Sequence, residues 1–197
     1  MKKLLIATHN LGKLKELTSL LEGVPFELVS LRDVGIEHDV NETGATLEEN
    51  ATLKAETYAR LSGLLTLADD SGLEVEALDG GPGVHSARYA GEGATDGDRV
   101  ALLLKNLMDK SQPWSARFLC VVAIARPNER VQLYSGECVG EIIAEACGDN
   151  GFGYDPVFLI PQKGKTMAEL TSEDKDGLSH RGAAVGKAHE ALSRIAG

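Results

Sequence analysis

The chain has 197 residues, enough for one domain with a large buried core or for one domain that carries an added lobe. Its composition, 43% hydrophobic and 25% charged, is ordinary for a globular protein. Thirty acidic and twenty basic side chains give a net charge of -10, which disfavours non-specific nucleic-acid binding but permits a small anion held by local donors.

The opening of the chain predicts a β-α-β unit. The apolar run 3–8 is typical of a buried strand, and the run 26–30 is typical of the next one. Between them, Asn10 can cap a helix that Gly23 and then Pro25 end. The apolar positions of that helix follow helical spacing and are Leu11, Leu14, Leu17, Leu20 and Leu21.

A second helix and a second buried strand follow. Thr46 and Glu49 form a capping-box pattern, which starts a helix that Gly63 ends. The run 64–68 predicts a strand, and the small and polar residues 69–72 are expected to break it.

The middle of the chain predicts a short strand, a loop and a third helix. Residues 73–78 have a strand pattern, and the glycine-rich stretch 80–93 is typical of a loop. Thr95 and Asp98 then repeat the capping pattern for a helix that extends to Lys110.

Two long strand candidates, 116–125 and 131–143, flank a turn at 127–130 and predict a hairpin. A glycine-rich loop, a strand and a helix complete the chain at 148–155, 156–160 and 179–195. The sequence contains no repeat or linker, so we expect one α/β domain over 1–197, with the hairpin forming a lobe at about 115–145.

The cysteines and the apolar segments bear on location. Cys120, Cys138 and Cys147 are odd in number and lack CxxC spacing, which argues against a disulfide framework or a metal knuckle. The apolar run 4–7 is too short for a signal peptide, and no stretch approaches the length of a membrane span. We therefore expect a soluble, cytoplasmic protein that binds neither membranes nor nucleic acid.

The turn between the first strand and the first helix is the first candidate site. Its residues are Thr8, His9, Asn10, Leu11, Gly12 and Lys13. A helix N-terminus offers free N–H groups to a phosphate, Gly12 permits close approach, and Lys13 adds a positive charge. A Walker A loop is a poor match because Ala7 and Leu14 replace its glycine and its Ser or Thr. The alternative is an ordinary capped helix with a surface lysine.

Two adjacent acids form the second candidate. Asp69 and Asp70, followed by Ser71, are expected at the carboxyl end of a strand, where α/β sheets bind ligands. Because side chains alternate along a strand, one acid should face the site and the other should face away. If the two lie close together, like-charge repulsion raises the pKa of one and makes it a better base. A solvated turn is the alternative.

A third group combines Glu42, in a polar loop, with Asn50 and Lys54, which are four residues apart on one helix face. A solvated amphipathic helix explains that spacing equally well. Glu42 by itself carries no functional information.

Two further segments contain aromatic and basic residues. They are Phe152, Gly153, Tyr154 and Asp155 in a glycine-rich loop, and Lys175, His180 and Arg181 near the C-terminus. Glycines around Phe152 leave its ring face open, which suits stacking on a planar base. Ser179 can cap the last helix, which leaves His180 and Arg181 in its first turn. The helix dipole disfavours cations there, and such departures from local rules often mark function.

Taken in order, these segments resemble the inosine triphosphate pyrophosphatase family, and within it the bacterial dITP/XTP pyrophosphatases. The matching stretches cover nearly the whole chain and are 8–13, 42–44, 49–54, 68–73, 86–89, 151–156, 165–170 and 179–181. The six-residue loop 151–156 is a highly specific match. One departure is His9, where bacterial relatives often carry glycine.

The resemblance implies an elongated α/β fold, a central mixed sheet flanked by helices, a nucleotide cleft between lobes, and a homodimer. It implies Mg2+-dependent hydrolysis of ITP, dITP and XTP to a monophosphate and pyrophosphate. Asp70 is then the catalytic carboxylate and, with Glu42, a Mg2+ ligand. The implied phosphate ligands are Thr8 to Lys13, Lys54 and Ser71. The implied base ligands are Phe152 to Asp155, Lys175, His180 and Arg181.

Three other functions compete with this interpretation. A nucleotide sensor without catalysis needs the pocket but not the acids Glu42 and Asp70. A nucleotide-binding kinase is disfavoured by the incomplete Walker pattern. Maf-like pyrophosphatases share the fold and act on other bases, but they lack the Ser-His-Arg segment found at 179–181.

Overall fold

The computed structural model describes residues 2–196, in which helices flank a central mixed sheet, as the sequence predicts. The strands are β1 (Lys3–Ile6), β2 (Glu27–Ser30), β3 (Leu65–Val75), β4 (Pro82–Gly83), β5 (Trp114–Ala125), β6 (Gln132–Ile142), β7 (Phe158–Ile160) and β8 (Lys165–Thr166). The α-helices are α1 (Leu11–Leu20), α2 (Leu47–Ser62), α3 (Asp96–Leu107), α4 (Ser172–Leu178) and α5 (His180–Ala196).

Two compact units make up the chain. The first unit runs to Asp70 and adds Cys120–Gly136 and the segment from His180 onward. The second unit consists of Ser71–Leu119 and Glu137–Ser179. The β5–β6 hairpin, for which the sequence predicts a lobe at about 115–145, contributes its turn to the first unit and its two ends to the second.

The first unit contains the predicted β-α-β opening, which is confirmed. β1 pairs in parallel with β2 and with β3, so that Leu4 lies opposite both Leu28 and Leu65. The strand order in this unit is β2-β1-β3-β5-β6. Its core is a cluster of fully buried apolar side chains from strands and helices, among them Ile6, Leu17, Leu67, Val122 and Val185.

The start of α1 follows the predicted capping but not the whole predicted apolar face. The side chain of Asn10 accepts a hydrogen bond from the backbone N–H of Lys13, 3.0 Å away. Leu17 and Leu21 are buried as predicted, whereas Leu11 is 79% exposed. The assignment of Leu11 to the apolar face is therefore wrong. Leu11 is the first helical residue, and the contact between the helix and the core begins one turn later, at Leu14.

The second helix begins and ends where the sequence predicts. Thr46 accepts a hydrogen bond from the N–H of Glu49, and Gly63 ends the helix at a φ of 72°. The capping box itself is displaced by one residue. The carboxylate of Glu49 accepts from the N–H of Ala45 rather than from that of Thr46.

The strand β3 corrects one prediction about the two acids. Residues 69–72 do not break the strand, which runs without interruption from Leu65 to Val75. Asp69 and Asp70 therefore lie in the middle of a buried strand and not at its carboxyl end. Turn propensity is overridden here because charged side chains from neighbouring elements pair with both acids. Gly72 also belongs to the strand, because a side chain at this position would collide with the backbone carbonyl of Gly83 on β4.

The second unit is mainly antiparallel. β3 pairs with β4, β6 with β7, and β7 with β8. The predicted capping box of Thr95 and Asp98 is complete at the start of α3, which ends at Leu107, three residues before Lys110. Buried side chains of Val75, Leu103, Trp114, Phe158 and Met167 belong to the core of this unit. Within residues 2–196, no helix combines the length and the apolar character that crossing a membrane requires.

Candidate active site

The predicted phosphate turn lies between β1 and α1. The hydroxyl of Thr8 accepts a hydrogen bond from the N–H of Asn10 at 3.2 Å, which holds the turn in shape. His9 points toward a neighbouring segment, with its Nε2 3.1 Å from the carbonyl oxygen of His38. The side chain of Asn10 accepts from the N–H of Lys13. The other N–H groups in the first turn of α1 have no partner within the helix and can donate to a ligand such as a phosphate.

Lys13 belongs to a buried network of charges. Its Nζ lies 3.1 Å from Oδ2 of Asp69. The same oxygen accepts hydrogen bonds at 3.2 Å from Nε and from Nη2 of Arg181. Nη1 of Arg181 in turn donates to Glu16 at 2.5 Å. Lys13 and Glu16 are three residues apart on α1, so three contacts among four alternating charges link α1, β3 and α5, and α1 itself closes the ring.

The cations of this ring lower the pKa of Asp69. Burial by itself would raise the pKa of Asp69, but Lys13, Arg181 and Lys54 outweigh it and hold the pKa well below its usual range. Asp69 is therefore ionised at all moderate pH values. Its second oxygen, Oδ1, is buried and accepts no hydrogen bond from any residue in the part of the chain that the structure describes.

Asp70 has a separate set of partners, as the alternation of side chains along a strand predicts. Its Oδ1 lies 3.1 Å from Nζ of Lys54, and its Oδ2 accepts a hydrogen bond at 3.2 Å from Nδ2 of Asn50. Nζ of Lys54 also donates to Glu42 at 2.5 Å. Two turns of α2 thus bring Asn50 and Lys54 to the carboxylate of Asp70, and a loop brings Glu42 to the same lysine.

The pKa of Asp70 moves in the opposite direction to that of Asp69. Burial raises the pKa of Asp70 and the negative charge of Glu42 adds to that rise, while Lys54 and Lys13 offset only part of it. Repulsion between the two aspartates was predicted as the cause of such a rise. Burial is the main cause instead, and the like charge involved is that of Glu42. Perturbed carboxyl groups of this kind are common at functional sites.

Lys54 remains a cation in this environment. Burial would lower its pKa, but the carboxylates of Asp70, Asp69 and Glu42 outweigh burial and raise the pKa to about 12. Lys54 therefore offers a fixed positive charge next to Asp70. With Lys13, it supplies the donors that a chain of phosphates requires.

The pair of carboxylates around Lys54 fits a divalent metal ion. Glu42 and Asp70 come from a loop and a strand, and one oxygen of each converges on the same lysine Nζ. Mg2+ prefers oxygen ligands, keeps several waters and binds through one or two carboxylates together with phosphates. Among residues 2–196, no three His, Cys, Asp or Glu side chains gather closely enough to hold a metal ion by themselves.

The second unit contains the glycine-flanked aromatic loop. Oδ2 of Asp155 accepts a hydrogen bond at 2.9 Å from the N–H of Phe152, and the same carboxylate pairs with Lys175. Nζ of Lys175 lies 5.1 Å from the centre of the Phe152 ring. Tyr154 is buried, and its hydroxyl donates to the carbonyl oxygen of Ser86 at 2.9 Å. Phe152 is half-buried, so the loop has one anchored aromatic residue and one accessible one.

The predicted site residues thus fall into two groups. Lys13, Lys54, Glu42 and Asp70 share one charged cluster in the first unit, which also contains the buried side chains of His180 and Arg181. Ser71, the loop 152–155 and Lys175 belong to the second unit. The sequence predicts that Arg181 contacts a base, whereas the contacts of its guanidinium described above are with Asp69 and Glu16.

Glu16 is a member of the charged cluster that the sequence does not predict. The only local signal for it is its position three residues after Lys13, which places both side chains on one face of α1. Asn50 was noted for its helical spacing but was not assigned to the site. Its role emerges from two contacts, since it donates to Asp70 and accepts from the N–H of Gly44 at 2.8 Å.

Comparison with known proteins places this geometry in a family. The model of the Ham1 family matches residues 4–191. The dITP/XTP pyrophosphatase of Geobacter sulfurreducens is 48% identical over 188 residues, which are 94% of either chain. That of Bacillus subtilis is 44% identical over 194 residues, or 98% of either chain. A HAM1 protein structure from Coxiella burnetii has a TM-score of 0.89 at 39% identity and covers 98% of this chain and 100% of that one. The chain therefore belongs to the Ham1 family.

Proposed function

We propose that this protein hydrolyses the purine nucleoside triphosphates ITP, dITP and XTP to the monophosphate and pyrophosphate, and so removes them from the nucleotide pool. The names of the relatives support the reaction and the substrates. The observation that carries the proposal is the cluster of Asp70, Lys54 and Glu42 near Lys13, which combines a perturbed carboxylate with two fixed cations. The family resemblance supports a cytoplasmic homodimer.

Asp70 is the catalytic residue in this proposal. Its carboxylate accepts a proton from a water molecule while the water oxygen forms a bond to the α-phosphorus. The bond from the α-phosphorus to the bridging oxygen breaks, and pyrophosphate leaves. The raised pKa of Asp70 makes the carboxylate a stronger base than an exposed aspartate. Lys13 and Lys54 neutralise the charge that develops on the leaving pyrophosphate.

Glu42 and Asp70 are proposed to hold a Mg2+ ion. An ion held there would stabilise the negative charge of the triphosphate. Lys54 lies between the two carboxylates and screens their mutual repulsion, which keeps the pair together before a cation and a triphosphate arrive. The N–H groups of Thr8 to Lys13 and the hydroxyl of Ser71 are the remaining proposed phosphate ligands.

Recognition of the base is assigned to the aromatic loop. The ring of Phe152 stacks on the base, and stacking contributes affinity without regard to base identity. Lys175 and His180 are the proposed donors to the 6-keto oxygen of hypoxanthine or xanthine, since the N–H groups of Phe152 and Gly153 donate to carboxylates of the protein itself. Adenine presents a 6-amino donor at that position, so a donor would face a donor and the complex would lose affinity.

Arg181 is the base ligand that the contacts support least. Its Nε, Nη1 and Nη2 all donate to carboxylates of the first unit, and the residue is 1% exposed. We propose that it acts on the phosphates indirectly, because it shares Oδ2 of Asp69 with Lys13. Tyr154 is likewise proposed to support the loop through Ser86 rather than to touch the base.

A sensor without catalysis remains the second candidate function. It would require nucleotide binding but not a carboxylate with a raised pKa, and that property of Asp70 favours an enzyme. Maf-like substrate preferences are disfavoured by the same family comparison that supports the reaction.

The substrate proposal predicts a clear order of rates. With Mg2+ present, kcat/KM for ITP, dITP and XTP should exceed that for ATP by at least about a hundredfold, because two donor mismatches of about 1.4 kcal/mol each give that ratio. Steady-state assays of pyrophosphate release from ITP, dITP, XTP, GTP and ATP measure it. Equal rates on ITP and ATP would contradict the substrate assignment, and the absence of turnover on every substrate would favour the sensor.

A further inference from the structure

A long-range contact connects the aromatic loop 152–155 to the start of α3. Oδ2 of Asp96, in the first turn of α3, accepts a hydrogen bond at 2.8 Å from the backbone N–H of Gly153, 57 residues away in the chain. Both residues belong to the second unit. The neighbouring N–H, that of Phe152, is bound by Asp155 within the loop itself. Two carboxylates therefore fix two consecutive backbone N–H groups, those of Phe152 and Gly153.

Asp96 is itself held in place by Arg99. Oδ1 of Asp96 forms an ion pair with Nη2 of Arg99, one helical turn further along α3. Nη1 of the same arginine donates to the carbonyl oxygens of Ala94 and Ala87, at 2.7 and 3.1 Å. The arginine side chain is mostly buried and is held by these contacts. It therefore fixes the direction in which the carboxylate of Asp96 points, which is toward Gly153.

The charge of Asp96 is maintained by these contacts. Partial burial would raise its pKa, but the hydrogen bonds from Arg99 and from Gly153 outweigh burial and lower it. The carboxylate is thus ionised at neutral pH, and an ionised acceptor makes a stronger hydrogen bond to a backbone N–H than a neutral one does. Gly153 has a φ of 65°, a left-handed conformation that a free glycine leaves readily.

We propose that Asp96, backed by Arg99, is a positioning residue that locks the loop of Phe152 and Gly153 in its base-binding conformation and so sets base selectivity. This inference rests on the proposed function of that loop. Without the contact, Gly153 has alternative conformations, and the ring of Phe152, together with Nζ of Lys175 beside it, no longer holds a fixed position. Discrimination between a 6-keto and a 6-amino group depends on fixed donors, whereas stacking does not.

The same helical turn offers a matched control. Asp98 lies two residues after Asp96 and also carries a carboxylate in the first turn of α3. Its Oδ2 accepts from the N–H and the hydroxyl of Thr95, at 2.8 and 2.6 Å, and so caps the helix. Removing Asp98 perturbs the helix, and removing Asp96 perturbs the helix and the loop together.

The experiment compares Asp96→Ala, Asp96→Asn and Asp98→Ala with the wild type. We expect Asp96→Ala to lower the ratio of kcat/KM for ITP to that for ATP by about tenfold, the equivalent of one charge-assisted hydrogen bond. Asp96→Asn keeps an acceptor oxygen and should restore most of the ratio. Asp98→Ala should lower the Tm and leave the ratio within about twofold of the wild type, since it removes only a helix cap.

A second measurement separates this inference from the proposed function. The hydrogen-exchange rate of the Gly153 amide, followed by NMR without any nucleotide, should rise in Asp96→Ala and stay unchanged in Asp98→Ala. If the wild type cleaves none of the triphosphates, the proposed function fails, but the exchange data still test whether Asp96 holds the Gly153 amide. If Asp96→Ala keeps both the wild-type ratio and the wild-type exchange rate, or if Asp98→Ala lowers the ratio as much, the positioning role of Asp96 is refuted.

Discussion

Replacing Asp70 by Asn is expected to lower kcat for ITP by about 10^2- to 10^4-fold, the usual contribution of a general base. The fold should survive the change. Because the pKa of Asp70 is raised, the folded protein disfavours its ionised form, and a neutral amide removes that cost. The amide oxygen can still accept from Lys54 or from Asn50. Stopped assays of pyrophosphate release, with thermal unfolding on the same samples, measure both effects.

Two controls sharpen that result. Asp109→Asn changes an exposed aspartate and should leave the activity unchanged. Glu42→Gln removes a proposed Mg2+ ligand but no base, so higher Mg2+ concentrations should restore part of its activity, and the same addition should not rescue Asp70→Asn. Turnover of Asp70→Asn near that of the wild type would refute its catalytic role.

Asp69→Asn should instead destabilise the fold by about 3–5 kcal/mol, the usual cost of removing one partner from a buried ion pair. The substitution removes the carboxylate that pairs with both Lys13 and the buried guanidinium of Arg181. Urea unfolding at pH 7 gives the free energy of unfolding. Asp109→Asn should stay within about 0.5 kcal/mol of the wild type, as exposed substitutions usually do.

The pH dependence of stability provides an independent check on Asp69. Its pKa in the folded state lies below the unfolded value of about 3.9, so its stabilising contribution is fully present above that value. The contribution is lost as the pH falls further, toward the folded pKa. The wild type should therefore lose stability below about pH 4 more steeply than Asp69→Asn. Parallel curves, or a loss below about 1 kcal/mol at pH 7, would contradict the role of Asp69 as a buried anchor.

Asp69 and Asp70 show which features of this protein can be predicted from sequence patterns and which cannot. Local signals found the cap at Asn10, the start of α2 at Thr46 and the capping box at Thr95, because caps depend on residues three positions apart. The same local signals misplaced Asp69 and Asp70 at a strand end. Turn-forming composition is a local property, whereas the continuity of β3 depends on partners supplied by α1, α2 and α5.

In the candidate site, too, local patterns were predictable from the sequence and long-range contacts were not. Alternation along a strand predicted that one acid would face the site and the other would face away, and the two acids do have different partners, Asn50 for Asp70 and Arg181 for Asp69. No local rule connects Arg181 with Glu16, which is 165 residues away, or Gly153 with Asp96. Contacts of that range follow from the tertiary fold. Departure from a helix-dipole rule singled out Arg181 correctly as unusual, but it did not reveal which anion compensates for the charge.

The position of bond cleavage tests the proposed reaction most directly. Wild-type protein is incubated with ITP and Mg2+ in water enriched in oxygen-18, without inorganic pyrophosphatase, and the products are followed by phosphorus NMR. Attack of water on the α-phosphorus predicts IMP that carries the heavy oxygen, together with unlabelled pyrophosphate, from the earliest time points. Early accumulation of IDP and orthophosphate, or label in the pyrophosphate, would contradict the proposed reaction.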